Sequence, residues 1–172
     1  MTFAVLSIGS NLGDRQAHLQ SVVDELGGAA RAVSPVYETD AWGGVEQEPF
    51  LNAVVLAENP ALDGHGWLRL AHEIEDAAQR TRTQRWGPRT LDVDIVQVRA
   101  DGVEVTVADD VLTLPHPYAH QRAFVLVPWL AVEPDATLIH DGTHTDVAAL
   151  LAGLDPAERA GVRHTQLALV LG

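Results

Sequence analysis

Thr90-Leu91-Asp92-Val93-Asp94-Ile95-Val96 decides how this chain folds, and it is entered from Arg80-Thr81-Arg82-Thr83-Gln84-Arg85-Trp86-Gly87-Pro88-Arg89. Apolar and acidic residues alternate over 90–96, which predicts a β-strand whose successive side chains point to opposite faces. Leu91, Val93 and Ile95 then face a core, and Asp92 and Asp94 share the other face. Next-but-one residues on a strand lie about 6.6 Å apart, so both carboxylates can reach one hard cation or a pair of them. Taken alone, Asp-x-Asp is most simply a strand with a solvated polar face. The preceding loop shifts the balance, because Arg80, Arg82, Arg85 and Arg89 place four guanidiniums within ten residues of a chain with net charge -13. Arginine binds phosphate oxygens bidentately. Paired carboxylates beside such a loop predict a Mg-polyphosphate site, with acids on the metal and arginines on the oxygens.

Composition narrows the chemistry. A chain of 172 residues with 47% hydrophobic content suits one domain over residues 1–172, burying about 70% of its unfolded surface. Cysteine is absent, which excludes thiol nucleophiles, disulfides and zinc-thiolate sites. Lysine is absent too, since all eleven basic residues are arginine. No phosphate-loop lysine or Schiff base is possible, so phosphate chemistry must rest on arginine, backbone amides and metal. A pI of about 4.8 opposes nucleic-acid binding through a basic face. No apolar run approaches the roughly 20 residues that span a bilayer, and the N-terminus lacks the basic segment of a signal peptide. A cytoplasmic monomer with no nucleic-acid or membrane partner is expected.

In chain order, residues 2–8 read as a central strand buried on both faces. A turn at Gly9-Ser10-Asn11-Leu12-Gly13 follows, and Asp14 caps a helix to about Leu26 with an apolar stripe of Leu19, Val22, Val23 and Leu26. The turn's glycine spacing fits neither the phosphate-loop nor the dinucleotide fingerprint. Residues 32–39 read as one strand with an edge or bulge at Pro35, and 50–57 as a third strand. Asn52 is the polar intruder there and must find partners. Residues 63–79 form the clearest helix, with Trp67 in its core stripe and His72 solvated. A short strand is expected over 102–107. A helix is expected over 125–132 with Pro128 in its first turn, another over 146–152, and an added strand or packed tail over 162–171. His140 and His144 flank turn residues, which argues against a metal site there.

Arg85-Trp86-Gly87-Pro88-Arg89-Thr90-Leu91-Asp92-Val93-Asp94 closely resembles the signature of the 6-hydroxymethyl-7,8-dihydropterin pyrophosphokinases. Three further stretches resemble the same family: Ile8-Gly9-Ser10-Asn11-Leu12-Gly13; Val33-Ser34-Pro35-Val36-Tyr37-Glu38-Thr39 with Phe50-Leu51-Asn52-Ala53; and Leu114-Pro115-His116-Pro117 with Arg122 and Phe124. The resemblance implies an α+β fold with a ferredoxin-like core, a mostly antiparallel sheet and helices packed on both faces. It also implies pyrophosphoryl transfer from ATP, as co-substrate, to the hydroxymethyl oxygen of the dihydropterin, releasing AMP. Asp92 and Asp94 would hold two Mg²⁺ ions. Arg80 and Arg89 would neutralise charge at the β-phosphorus, and Arg82, Trp86, His116 and Arg122 would contact ATP. Phe50 and Phe124 would sandwich the pterin, Asn52 would pair with its heteroatoms, and Thr39 and Trp42 would add polar contacts. Asn11 would support the site.

Residues 80–86 are one position shorter than the family pattern, which leaves the division of roles between Arg80 and Arg82 open. The loops at 40–49 and 80–89 have the composition of lids, and glycine-rich connecting turns are the simpler alternative. Two other functions stay in play. Gly9-Ser10 with an Asp-x-Asp strand are nucleotidyltransferase ingredients, although those normally lie in one short unit. A regulatory module that kept the pocket and lost turnover is the non-enzymatic alternative. The resemblance fades beyond about Gly153, and no function is assigned there.

Overall fold

The computed structural model describes residues 2–40, 47–79 and 90–172. The first part of the chain forms β1 (Thr2–Ser10), α1 (Arg15–Leu26), β2 (Ala30–Val33), β3 (Tyr37–Thr39), β4 (Phe50–Asn59), α2 (Gly64–Gln79) and β5 (Asp92–Ala100). There follow β6 (Val103–Glu104), β7 (Val107–Ala108), β8 (Thr113–Leu114), α3 (Ala123–Val132), β9 (Thr137–His140) and β10 (Thr143–Asp146). The chain closes with α4 (Val147–Ala152), α5 (Pro156–Ala160) and β11 (Arg163–His164).

β1 is the spine, antiparallel to β4 on one side and to β5 on the other. Among the described residues the sheet runs β11-β3-β4-β1-β5-β6, with β2 also on β4. Every pairing in it is antiparallel. With β2 and β3 counted as one interrupted strand, the order β-α-β-β-α-β is the ferredoxin-like arrangement. The single strand expected over 32–39 is thus corrected to two. Pro35 has no N–H to donate, and Ser34 bridges the gap. Its N–H donates to the Val54 carbonyl at 2.9 Å, and its Oγ accepts from the Val54 N–H at 2.9 Å.

Side-chain alternation divides the apolar residues between two cores. Ala4, Leu6, Ile8, Val55, Leu91, Val93 and Ile95 pack against the stripe of α1 and against Trp67, Ala71 and Ile74 of α2. Val5, Val54, Leu56 and Val96 pack against Val125, Leu126 and Trp129 of α3 and Val147 of α4. Helices therefore cover both faces, as expected. Asp14 caps α1 by accepting from Ala17 N–H at 3.0 Å. The indole of Trp67 is buried and donates to Thr2 Oγ1 at 3.1 Å, which makes it a core residue.

Two other expectations are adjusted. The strand placed at 102–107 is two short ones, β6 on β5 and β7 on β8. Asp101 and Gly102 make the turn into β6 at φ 51° and 83°, the positive values that Asp-Gly hairpin turns require. Helix α3 begins two residues earlier than expected, so Pro128 lies inside it and not in its first turn. The missing proline N–H leaves the Phe124 carbonyl without its helical donor. His140 and His144 lie on a hairpin turned by Asp141 and Gly142, and the His140 ring stacks on His120 with centroids 4.3 Å apart. The C-terminal residues, expected as an added strand or a packed tail over 162–171, form a two-residue strand followed by a tail. β11 pairs with β3, and the tail lies on α1, where Gln20 bonds both the N–H and the carbonyl of Val170. No helix among the described residues is long and apolar enough to cross a membrane.

Candidate active site

The register of the three central strands builds the site. Asn52 of β4, Gly9 of β1 and Asp92 of β5 are direct cross-strand partners, and so are Val54, Ser7 and Asp94 in the next row. Directly opposed residues project from one face, and this is the face that α3 covers further along. At neighbouring-strand spacing, the Asn52 and Asp92 backbones stand about 10 Å apart with a glycine between them. Gly9 therefore makes a trough. A Cβ at that position would sit 3.1 Å from Asn52 Oδ1 and 3.6 Å from the Phe50 ring.

This floor opens into a cleft of about 940 Å³. Thr39, Phe50 and Asn52 line one side and Asp92 and Asp94 another, with Arg122 and Phe124 arriving from the start of α3. Asn52 is buried and donates through Nδ2 to Thr39 Oγ1 at 2.7 Å. The Arg122 guanidinium carbon lies 5.6 Å from the Phe124 ring centroid and 5.5 Å from that of Tyr118. His116 lies within electrostatic reach of Asp94 and Arg122 of the lining. Its Nδ1 accepts from the Tyr118 N–H at 3.2 Å, so the neutral ring carries its proton on Nε2. Burial is the main reason the His116 pKa is lowered, with Arg122 acting in the same direction and Asp94 opposing. Burial therefore favours the neutral ring.

Beneath the acidic strand, Glu75 of α2 accepts from Val93 N–H at 3.2 Å. Burial raises its pKa, the Val93 bond opposes, and the negative charges of Asp92 and Asp94 raise it further. Asn11 is buried and donates through Nδ2 to Gln47 Oε1 at 3.0 Å, and Gln47 lines the cleft.

Of the residues singled out in the sequence, the structure brings Thr39, Phe50, Asn52, Asp92, Asp94, Arg122 and Phe124 together. His116 is adjacent, while Trp42, Arg80, Arg82, Arg85, Trp86 and Arg89 lie outside the described residues. Sequence reasoning missed Ser7, Tyr118, Gln121 and the stretch from Leu154 to Val162, which supplies Asp155, Ala157, Glu158 and Gly161 to the lining. Tyr118 and Gln121 stood inside a stretch already singled out. The last stretch carried no local signal.

The described lining holds five carboxylates, Asp40, Asp92, Asp94, Asp155 and Glu158, against one guanidinium, Arg122. Hard divalent cations fit, because Asp92 and Asp94 offer oxygen donors from one strand face at the cleft wall. A Cβ at Gly9 would crowd the trough, so Gly9→Ala should raise the KM for whatever occupies it by about tenfold, while ATP affinity stays within twofold. Steady-state kinetics with each substrate varied in turn checks this.

Two aspartates on one strand face, a buried amide and two phenylalanine rings line one cleft on a ferredoxin-like sheet, a setting that suits a transferase pairing a metal-bound anion with a flat ring. The chain belongs to the 7,8-dihydro-6-hydroxymethylpterin-pyrophosphokinase (HPPK) family, whose model matches residues 5–134. It is 57% identical over 168 residues to a 2-amino-4-hydroxy-6-hydroxymethyldihydropteridine pyrophosphokinase of Mycobacterium tuberculosis strain H37Rv, covering 95% of this chain and 89% of that one. The Mycobacterium leprae protein of the same name is 58% identical over 177 residues, covering 99% and 93%. The Bacillus subtilis protein of that name is 39% identical over 129 residues, covering 73% and 74%. Among solved structures, wild-type Plasmodium falciparum HPPK-DHPS with SDX-DHP superimposes with a TM-score of 0.64 at 13% identity. That match covers 88% of this chain and 44% of the longer one, and it supports the fold.

Proposed function

We propose that this chain transfers pyrophosphate from ATP to 6-hydroxymethyl-7,8-dihydropterin in folate biosynthesis, as one domain over residues 1–172 working as a cytoplasmic monomer. The observation that supports the residue assignments is the row Asn52-Gly9-Asp92, which leaves a position without a side chain between the amide and the acidic strand. The pterin lies over Gly9, stacked between Phe50 and Phe124, with its heteroatoms paired to Asn52 and polar contacts from Thr39 and Trp42. Asp92 and Asp94 would hold two Mg²⁺ ions, which when bound neutralise the triphosphate and polarise its phosphoryl oxygens. Arg122 and the neutral Nε2–H of His116 hold phosphate oxygens, and Arg82 and Trp86 complete the ATP contacts.

The hydroxymethyl oxygen attacks the β-phosphorus as its proton passes to solvent water. The bond from that phosphorus to the α,β-bridging oxygen breaks, and AMP leaves. Arg80 and Arg89 hold the charge that develops on the transferred group, which is the main task a protein has in phosphoryl transfer.

The test is an assay of AMP release with synthetic pterin, ATP and Mg²⁺. AMP and the pterin diphosphate should form in equal amounts. Free pyrophosphate with a nucleotidylated acceptor would identify a nucleotidyltransferase. Binding of both ligands without AMP would identify a regulatory module.

A further inference from the structure

Helix α3 begins at the corner that presents Arg122 and Phe124 to the cleft, and it begins without a cap of its own. Arg122 holds the N-cap position in an extended conformation, φ -111° and ψ 102°, and its side chain accepts no amide. The first amides of a helix have no partner within it, so this end needs an acceptor from elsewhere. Glu158 of α5 supplies one: its Oε1 accepts from Ala123 N–H at 3.3 Å, from 35 residues further along the chain. A carboxylate at a helix N-terminus also meets the positive end of the helix dipole.

Ala123 lies between Arg122 and Phe124, so a restraint on its amide restrains where both neighbours project. Glu158 itself lines the cleft and is half-buried. It lies beyond residue 134, where the family model ends. The same C-terminal stretch reaches the opposite wall. Arg163 and His164 of β11 pair with Glu38 and Tyr37 of β3, the strand that ends in Thr39. Arg163 adds ion pairs at 3.3 Å to Glu38 and 3.0 Å to Asp40.

We infer that Glu158 is a positioning residue for substrate binding: from α5 it fixes the Arg122-Ala123-Phe124 corner against which ring and phosphate are held. This rests on the proposed roles of Arg122 and Phe124. It makes the C-terminal stretch part of the cleft, where local sequence signals had assigned it nothing.

The test compares Glu158→Ala, Glu158→Gln and Glu158→Asp in the full chain. The readouts are the pterin dissociation constant by calorimetry, the two KM values with kcat, and the thermal midpoint. Glu158→Ala should weaken pterin binding and raise its KM about fivefold, with kcat moving less. Gln keeps the acceptor at the same reach and should restore most of this. Asp falls short by one methylene and should behave like Ala. Unchanged pterin binding in the Ala variant would overturn the inference, as would a Gln variant as weak as Ala or an Asp variant as tight as wild type. If the wild-type chain released no AMP, the reaction assignment would fail instead, and the binding comparison would still decide the role of Glu158.

Discussion

Asp94→Ala should lower AMP formation by at least a thousandfold while leaving the protein folded. The proposed pair of aspartates holds Mg²⁺ against the triphosphate, and metal charge stabilisation in such a transfer is worth several kcal/mol. A loss of about 4 kcal/mol corresponds to roughly three decades of rate. Stability should move the other way if it moves at all. The negative charge of Asp94 helps raise the Glu75 carboxyl pKa, so it disfavours the ionised form of that buried neighbour. Removing Asp94 relieves that repulsion, and the thermal midpoint should hold or rise slightly. The variant should also lose Mg²⁺ affinity in titration calorimetry, measured without substrate. Turnover above a tenth of wild type, with the fold intact by circular dichroism, would remove Asp94 from the metal site. Asp92→Ala should behave in the same way, since Asp92 lines the same cleft from the same strand face.

The legible part of the fold is the part governed by local periodicity. Alternation over 90–96 placed Leu91, Val93 and Ile95 in one core and Asp92 and Asp94 on the opposite face, as the structure has them. The 3.6-residue stripe of α1 and the core place of Trp67 followed from the same kind of signal. Proline was read less well, because its effect depends on context. At Pro35 it split a strand and handed two hydrogen bonds to Ser34. At Pro128 an apolar helix packed into the second core outweighed the missing N–H. The C-terminal wall had no local signature. Glu158 meets Ala123 across 35 residues, Arg163 meets Glu38 across 125, and Gln20 meets Val170 across 150. Partnerships at that separation are products of tertiary packing, and the composition of either segment does not announce them.

Asn52→Leu should raise the pterin KM about a hundredfold, with ATP affinity changed by less than threefold. The side chain has the same branched heavy-atom skeleton as leucine and sits in a buried strand position, so leucine's extra bulk should cost about 1–3 kcal/mol as packing and leave the chain folded. What it removes is polar. Asn52 Nδ2 donates to Thr39 Oγ1 at 2.7 Å, which fixes the amide. Its Oδ1 faces the Gly9 trough, where a Cβ would lie 3.1 Å away. Over that trough the proposed pterin presents hydrogen-bonding groups to Asn52. Two such bonds lost, at about 1.5 kcal/mol each, amount to two decades of affinity. The unpaired substrate groups make the penalty steep, since a site built on hydrogen bonds discriminates far better than an apolar one. The ATP subsite should be spared, because no ATP contact is assigned to Asn52. Asn52→Asp separates the two contributions: it keeps an acceptor at Oδ1 and forfeits the donor to Thr39, so it should fall between leucine and wild type. Equal losses in pterin and ATP affinity for the leucine variant would mean that Asn52 supports the sheet as a whole, and the ring would then have to be sought elsewhere in the cleft.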